Sequence, residues 1–177
     1  MTITIRDATA GDIPAIRAIF AHAVVHGTAS WELEPPDEDE MRRRFEAVKA
    51  GGYPYLVAEA EDVVLGYAYA SAYRPRPAYR FTVENSIYIA PGRQGQGIGA
   101  ALLAALEQAC EARGFRQMIA VIGDGDGGSA ASRRLHERAG FRLIGVAEAV
   151  GFKHGRWLGQ MLMQKPLGEG AGAAPPA

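Results

Sequence analysis

The sequence predicts one α/β domain built on a mixed sheet, and three observations carry that reading. The chain has 177 residues, 48% of them apolar and 22% charged, the composition of a single globular domain rather than a disordered or fibrous chain. Between Tyr53 and Ala90 lie runs of strand-like residues broken only by short punctuation, the mark of antiparallel strands. From Arg80 onward the pattern changes to strand, helix, strand, which asks for a parallel pair inside the same sheet. Nineteen Lys and Arg against twenty Asp and Glu leave a net charge of −1, which argues against a general nucleic-acid binder or an anionic-membrane binder. Neither a transmembrane run nor a signal-peptide core is present. The single cysteine, Cys110, excludes an intramolecular disulfide and suits a reducing cytoplasm.

Taken in order, Thr2 to Arg6 alternate as a short strand, and Thr9-Ala-Gly-Asp12 offers a capping box before a helix. Ile13, Ile16, Ile19, Phe20, Ala23 and Val24 recur at helical spacing and give that first helix one apolar face. A loop with Trp31 and two prolines leads to Asp37, which opens a second helix stopped by Gly51-Gly52. Tyr53–Ala60 and Val63–Ala72 form a hairpin around Glu61-Asp62. Tyr73-Arg74-Pro75-Arg76-Pro77 is a connection, because proline removes ladder donors. Arg80–Ala90 is strand, Gly97–Arg113 helix with Leu102, Leu106 and Cys110 on one stripe, and Gln117–Ile122 strand. A helix over Ser129–Arg138 and strands at Phe141–Ala149 and Arg156–Lys165 complete a domain spanning residues 1–167. The Gly, Ala and Pro tail of residues 168–177 is expected to be disordered.

The stretch Arg93-Gln94-Gly95-Gln96-Gly97-Ile98-Gly99-Ala100 sits between a strand and a helix. Glycines let the backbone approach a ligand, and the first N–H groups of a helix are free and electropositive, so such a turn suits a pyrophosphate. A bare tight turn is the bland reading. No Gly-Lys-Ser/Thr follows, which excludes a nucleotide-triphosphate loop of that type. Gly95, Gly97 and Ala100 also match a dinucleotide fingerprint, with Asp124 ending the next strand, yet the hairpin-rich stretch before them does not suit a repeated parallel unit.

Gln94-Gly95-Gln96-Gly97-Ile98-Gly99 resembles the Q/R-x-x-G-x-G/A loop of GNAT-type acetyltransferases. The likeness extends to Tyr53–Ala58, Thr82–Ile89, Ala120–Gly123, Leu135-His136-Glu137, Gly140-Phe141, Gly151–Trp157 and Met163-Gln164. Over about residues 3–167 the chain resembles the phosphinothricin and methionine sulfoximine/sulfone acetyltransferase branch. That resemblance implies a GNAT fold, a mixed splayed sheet flanked by helices, with acetyl-CoA entering where the central strands part. It implies transfer of an acetyl group to the α-amino group of a small amino acid, no metal, and a homodimer.

The resemblance assigns Glu84 as the base that deprotonates the acceptor. A carboxylate in an otherwise apolar strand has its pKa raised by burial if it faces inward, whereas on the solvent face of an edge strand it would do nothing. It places the pantetheine arm on Ile87, Tyr88 and Ile89 and the pyrophosphate on Gly95, Gln96, Gly97, Ile98, Gly99 and Ala100. Arg74, Pro75, Arg76, Asn85 and Ser86 line the amino-acid site, where an Arg pair can grip a carboxylate. Trp31 walls that pocket or caps the core. His136 stands where related enzymes carry a tyrosine that protonates the thiolate, and either donates that proton or hydrogen-bonds nearby.

Two positions depart from the branch. Ser129, expected to cap its helix and reach the cofactor, replaces an Asn after a glycine-rich insertion, and Gly159 replaces an Asp. They leave open a CoA-binding module without catalysis; acetylation of a peptide or protein N-terminus is a further alternative. His22 and His26 have helical metal spacing without a third ligand, and Asp124 and Asp126 lack the rest of a calcium loop. Cys110, on the Leu102–Leu106 stripe, reads as a packing thiol.

Overall fold

The computed structural model describes residues 2–123 and 127–175. Its elements are β1 (Thr4–Asp7), α1 (Ile13–His26), α2 (Glu38–Ala50), β2 (Tyr55–Ala60), β3 (Val63–Ala72), β4 (Thr82–Ile89), α3 (Ile98–Ala112), β5 (Gln117–Gly123), α4 (Gly127–Arg138), β6 (Arg142–Lys153) and β7 (Arg156–Pro166). The strands form one sheet in the order β1-β2-β3-β4-β5-β7-β6. Every pairing is antiparallel except β4 with β5, the pair joined through α3. The expected mixed sheet, hairpin and central crossover are all present.

Helices cover both faces. The apolar stripe of α3, Leu102, Leu106 and Cys110, packs on Leu56, Ala68, Val83, Met118 and Met163. Burial pushes the Cys110 thiol up to about 12, so it is an inert packing group. On the opposite face, Ile13, Ile16, Phe20 and Val24 of α1 join Met41 and Phe45 of α2 against Tyr55, Val57 and Tyr67. The chain enters α1 as the sequence predicts: Thr9 and Asp12 form a capping box over a 3₁₀ turn at Ala10–Asp12. Asp12 also takes a two-pronged bond from Arg6, at 2.8 Å on each oxygen, and Arg6 reaches Glu59 at 2.6 Å. That guanidinium is the main reason the Asp12 carboxyl sits at about 2.

Several boundaries differ from expectation; β2 and β4 each start two residues late, at Tyr55 and Thr82. β6 does not stop at Ala149 but continues to Lys153 through an irregularity between Ala147 and Gly151, where Ala149 turns to φ +51°. Helix α4 begins at Gly127, so Ser129 lies inside its first turn rather than at the cap. β1 starts two residues late, at Thr4. At the far end of the chain, the Gly168 N–H donates to Glu111 and Arg116 pairs with Glu169. Asp124 and Asp126 lie outside the described residues.

The feature that matters for a site is where β4 and β5 separate. Their ladder covers only Thr82–Asn85 against Gln117–Ala120. Beyond it, β4 pairs with β3 alone through Ile89, and β5 pairs with β7 alone through Gly123. One backbone edge of residues 86–89 is therefore left open in the middle of the sheet.

Candidate active site

A cavity of about 1020 Å³ passes through this opening, within reach of Ser86, Ile87, Tyr88 and Ile89 on one side and Val121, Ile122 and Gly123 on the other. Unpaired strand backbone is a template for an extended ligand, which would add to β4 as β5 does lower down. Next along the cavity comes the glycine turn. Gly95 and Gly97 hold φ of +76° and +81°, a region closed to most side chains, and a Cβ at either position would meet nothing within 4 Å. Conformation, not crowding, demands glycine there, and the space above the turn is free. Gly97 caps α3 in the left-handed conformation, so the N–H groups of Ile98, Gly99 and Ala100 have no partner within the helix. Gly95, Gly97, Ile98, Gly99 and Ala100 all line the cavity; Gln96 is exposed and bonds back toward the Gly92 carbonyl at 3.4 Å.

Because side chains alternate along a strand, Glu84 and Asn85 face opposite sides of the sheet. Glu84, Ser86 and Tyr88 share the α1 and α2 side, where Tyr88 packs edge-on against Phe20. Asn85 faces α4 and meets His136 there. The strand is central, flanked by β3 and β5, so Glu84 is not on an edge. Burial raises its pKa above the ordinary glutamate value, and the charge of Arg74 partly opposes that rise.

A second, smaller cavity of about 240 Å³ meets the first at Trp31, Glu84 and Val121, and is completed by Tyr73, Arg74, Gln160 and Leu162. The structure thus brings Arg74 to Glu84. Pro75 and Arg76 are exposed and line neither cavity, since the proline-stiffened connection turns them outward.

Trp31 is held as a wall by contacts the sequence did not reveal. Its ring lies so close on Gly151 that a Cβ there would fall 2.1 Å from it. Lys153 is buried and donates to the Ser30 carbonyl at 2.7 Å, and His154 Nε2 lies 3.1 Å from the Gly27 carbonyl. Together these residues of β6 and its turn pin the whole Trp31 loop. The Ser129 hydroxyl donates to the Gly123 carbonyl, tying α4 to the end of β5, and it lines the larger cavity. His136 is buried, with Nδ1 2.8 Å from the Ser132 carbonyl, and burial lowers its pKa below the ordinary imidazole value. The rings of His22 and His26 lie 4.6 Å apart, tilted by 46°, on α1 beside the cavity.

Residues 17–141 match the model of the acetyltransferase (GNAT) family. The chain belongs to that family. Its GNAT relatives include the phosphinothricin N-acetyltransferase of Alcaligenes faecalis, 53% identical over 94% of this chain and 84% of that one. The L-methionine sulfoximine/L-methionine sulfone acetyltransferase of Pseudomonas paraeruginosa is 42% identical over 94% of this chain and 96% of that one. Among solved structures, the GNAT phosphinothricin acetyltransferase of Sinorhizobium meliloti in complex with acetyl-CoA superimposes with a TM-score of 0.94 at 52% identity, covering 99% and 94% of the two chains. The fold is therefore the GNAT fold, and the split between β4 and β5 is its central feature in this chain.

Proposed function

We propose that this GNAT enzyme transfers the acetyl group of acetyl-CoA to the α-amino group of a small amino acid, with phosphinothricin and methionine sulfoximine or sulfone as the acceptor class. The observation that carries this reading is the position of Glu84, a half-buried carboxylate where two cavities meet. One cavity offers an open strand edge and a glycine turn for the acyl donor; the other offers Arg74 for the acid end of the acceptor. The relatives' acceptors are amino acids with an anionic or strongly polar end, which suits that arginine.

In this mechanism the open edge of Ile87–Ile89 takes the pantetheine arm by backbone pairing. The free N–H groups after Gly97 take the pyrophosphate, with Ser129 alongside. Arg74, with Ser86 on the same face of β4 as Glu84, orients the acceptor, and Trp31 closes its side of the gap; Asn85, turned to the other face against His136, takes no part in holding the acceptor. Glu84, directly or through one water, removes a proton from the α-ammonium. The freed amine attacks the thioester carbonyl carbon, the C–N bond forms, and the C–S bond breaks. The nitrogen sheds its second proton as the amide forms, and the departing thiolate takes up one proton. A base with a raised pKa is better matched to an ammonium than an ordinary glutamate, which is the value of burying it. His136, neutral at pH 7 by its lowered pKa, is the second titratable group on this path.

A small acceptor is favoured over a peptide because the Arg74 cavity holds about 240 Å³ between Trp31 and Tyr73. A homodimer is supported by the edge strand β6 and the start of β7: Val150, Phe152 and Trp157 are more than half exposed, and the last two pack edge-on. No helix among the described residues is long and apolar enough to cross a membrane, and a reducing cytoplasm is the setting we infer from one buried thiol.

Free-thiol release from acetyl-CoA across a panel of amino acids, amines and peptides tests the reading. Turnover with phosphinothricin or methionine sulfone but not spermidine is expected. Preference for a peptide N-terminus, or tight CoA binding with no acceptor used, would overturn it.

A further inference from the structure

Asn85 and His136 meet inside the molecule with their hydrogen bonding mismatched. Nδ1 of His136 lies 2.8 Å from the Ser132 carbonyl oxygen, one helical turn back. A carbonyl only accepts, so Nδ1 carries the proton, and in the neutral ring Nε2 is then a bare acceptor. The atom 3.3 Å from Nε2 is Asn85 Oδ1, a second acceptor, while Asn85 Nδ2 is buried without any partner. Two acceptors face each other beside an unused donor. A half-turn of the carboxamide exchanges its oxygen and nitrogen in nearly the same volume and cures both faults. It makes an Nδ2–H to Nε2 bond and leaves the oxygen, instead of the N–H, without a partner, which a buried site tolerates better. Charging the ring would supply a second N–H, but it would still strand Nδ2, and burial opposes the charge.

We propose that Asn85 is a positioning residue for His136, donating through Nδ2 to Nε2 and locking the imidazole as the neutral Nδ1–H tautomer. Asn85 is the last β4 residue paired with β5, so this bond ties α4 to β4 where the sheet begins to part. With its lone pair engaged, Nε2 offers no proton to a departing thiolate in the resting enzyme. For that consequence the proposal rests on the acetyl-transfer reading above; the tautomer itself does not. The groups around the ring are Phe141, edge-on at 4.9 Å, with Glu107 of α3, Arg134 and Arg138 of α4, and Lys165 of β7 lining the same cavity. Glu107 and Lys165 neutralise each other at 2.6 Å.

Long-range proton–nitrogen correlation spectra of histidine-labelled protein read the tautomer directly, with His136→Asn to assign the signal. The wild type is expected to show His136 neutral at pH 7 with Nδ1 protonated. In Asn85→Asp the carboxylate cannot donate, so Nε2 takes up a proton and the His136 midpoint rises by about one unit or more. A wild-type ring protonated on Nε2, or an unchanged midpoint in Asn85→Asp, overturns the proposal. If that variant does not fold, the wild-type spectrum alone decides. No acyl donor enters the measurement, so failure to acetylate amino acids would overturn the functional reading and leave this one standing.

Discussion

Arg74 and Arg76 are two positions apart in one proline-stiffened turn, yet only Arg74 touches the site. Arg74→Ala should raise KM for the acceptor by about tenfold, the loss of a partly exposed charged hydrogen bond, whereas Arg76→Ala should leave kinetics near wild type. Arg74 also holds the Glu84 pKa down against burial. As the proposed base, Glu84 acts only when deprotonated, so activity is expected to rise with pH through its pKa, and removing the Arg74 charge should move that limb to higher pH. A pH profile of kcat in Arg74→Ala checks the sign; a downward move would mean the arginine does not act on Glu84. The sequence pointed to both arginines because they share a turn, and it could not tell which one reaches the cavity. Lys153 shows no sequence signal of its burial, because a cation near a turn looks the same whether it faces water or a carbonyl 123 residues away. Gly151 was visible within a resembling motif, but only its contact with Trp31 gives the reason for glycine.

At the level of elements, the glycine turn and helix α3 work as one unit. Gly97→Ala would force a side chain into a left-handed conformation that costs roughly 1–2 kcal/mol and would place a methyl in the space open above the turn. The KM for acetyl-CoA should rise by about tenfold or more with little change in the acceptor KM, measured by steady-state kinetics in both substrates. The β1–α1 junction makes a separate prediction about stability. The Asp12 carboxyl is held down at about 2, so it stabilises the fold above its unfolded pKa near 3.8, and that stability drains as pH falls from about 4 toward 2. Asp12→Asn should cost about 2 kcal/mol at neutral pH and flatten this part of the acid-unfolding curve, read by denaturant titration. Element identities were legible because each rests on local periodicity and caps: the Thr9–Asp12 box, the α3 stripe, the hairpin at Glu61-Asp62. The extension of β6 past Ala149 was not, because a turn-like residue inside a strand looks like its end until the partner strand is seen.

For the molecule as a whole, the decisive feature is long-range. The separation of β4 from β5 after Asn85 depends on which strand each has on its other side, and no single-sequence pattern encodes it. Only the resemblance to GNAT enzymes anticipated that opening, while the residues supplied the parts that line it. The apolar patch of β6 and the start of β7 belongs to the same scale. If it is covered by a second copy, Trp157→Glu should shift the solution mass by light scattering from two chains to one, with little change in the far-ultraviolet spectrum. The proposed mechanism turns on a half-buried carboxylate at the junction of two cavities drawing the proton from the acceptor amine. Steady-state turnover of Glu84→Gln with an α-amino acceptor, alongside calorimetric titration with acetyl-CoA, tests it most directly. The expected result is kcat reduced by about 10²–10⁴ with acetyl-CoA affinity unchanged. Near-wild-type turnover in that variant would contradict it.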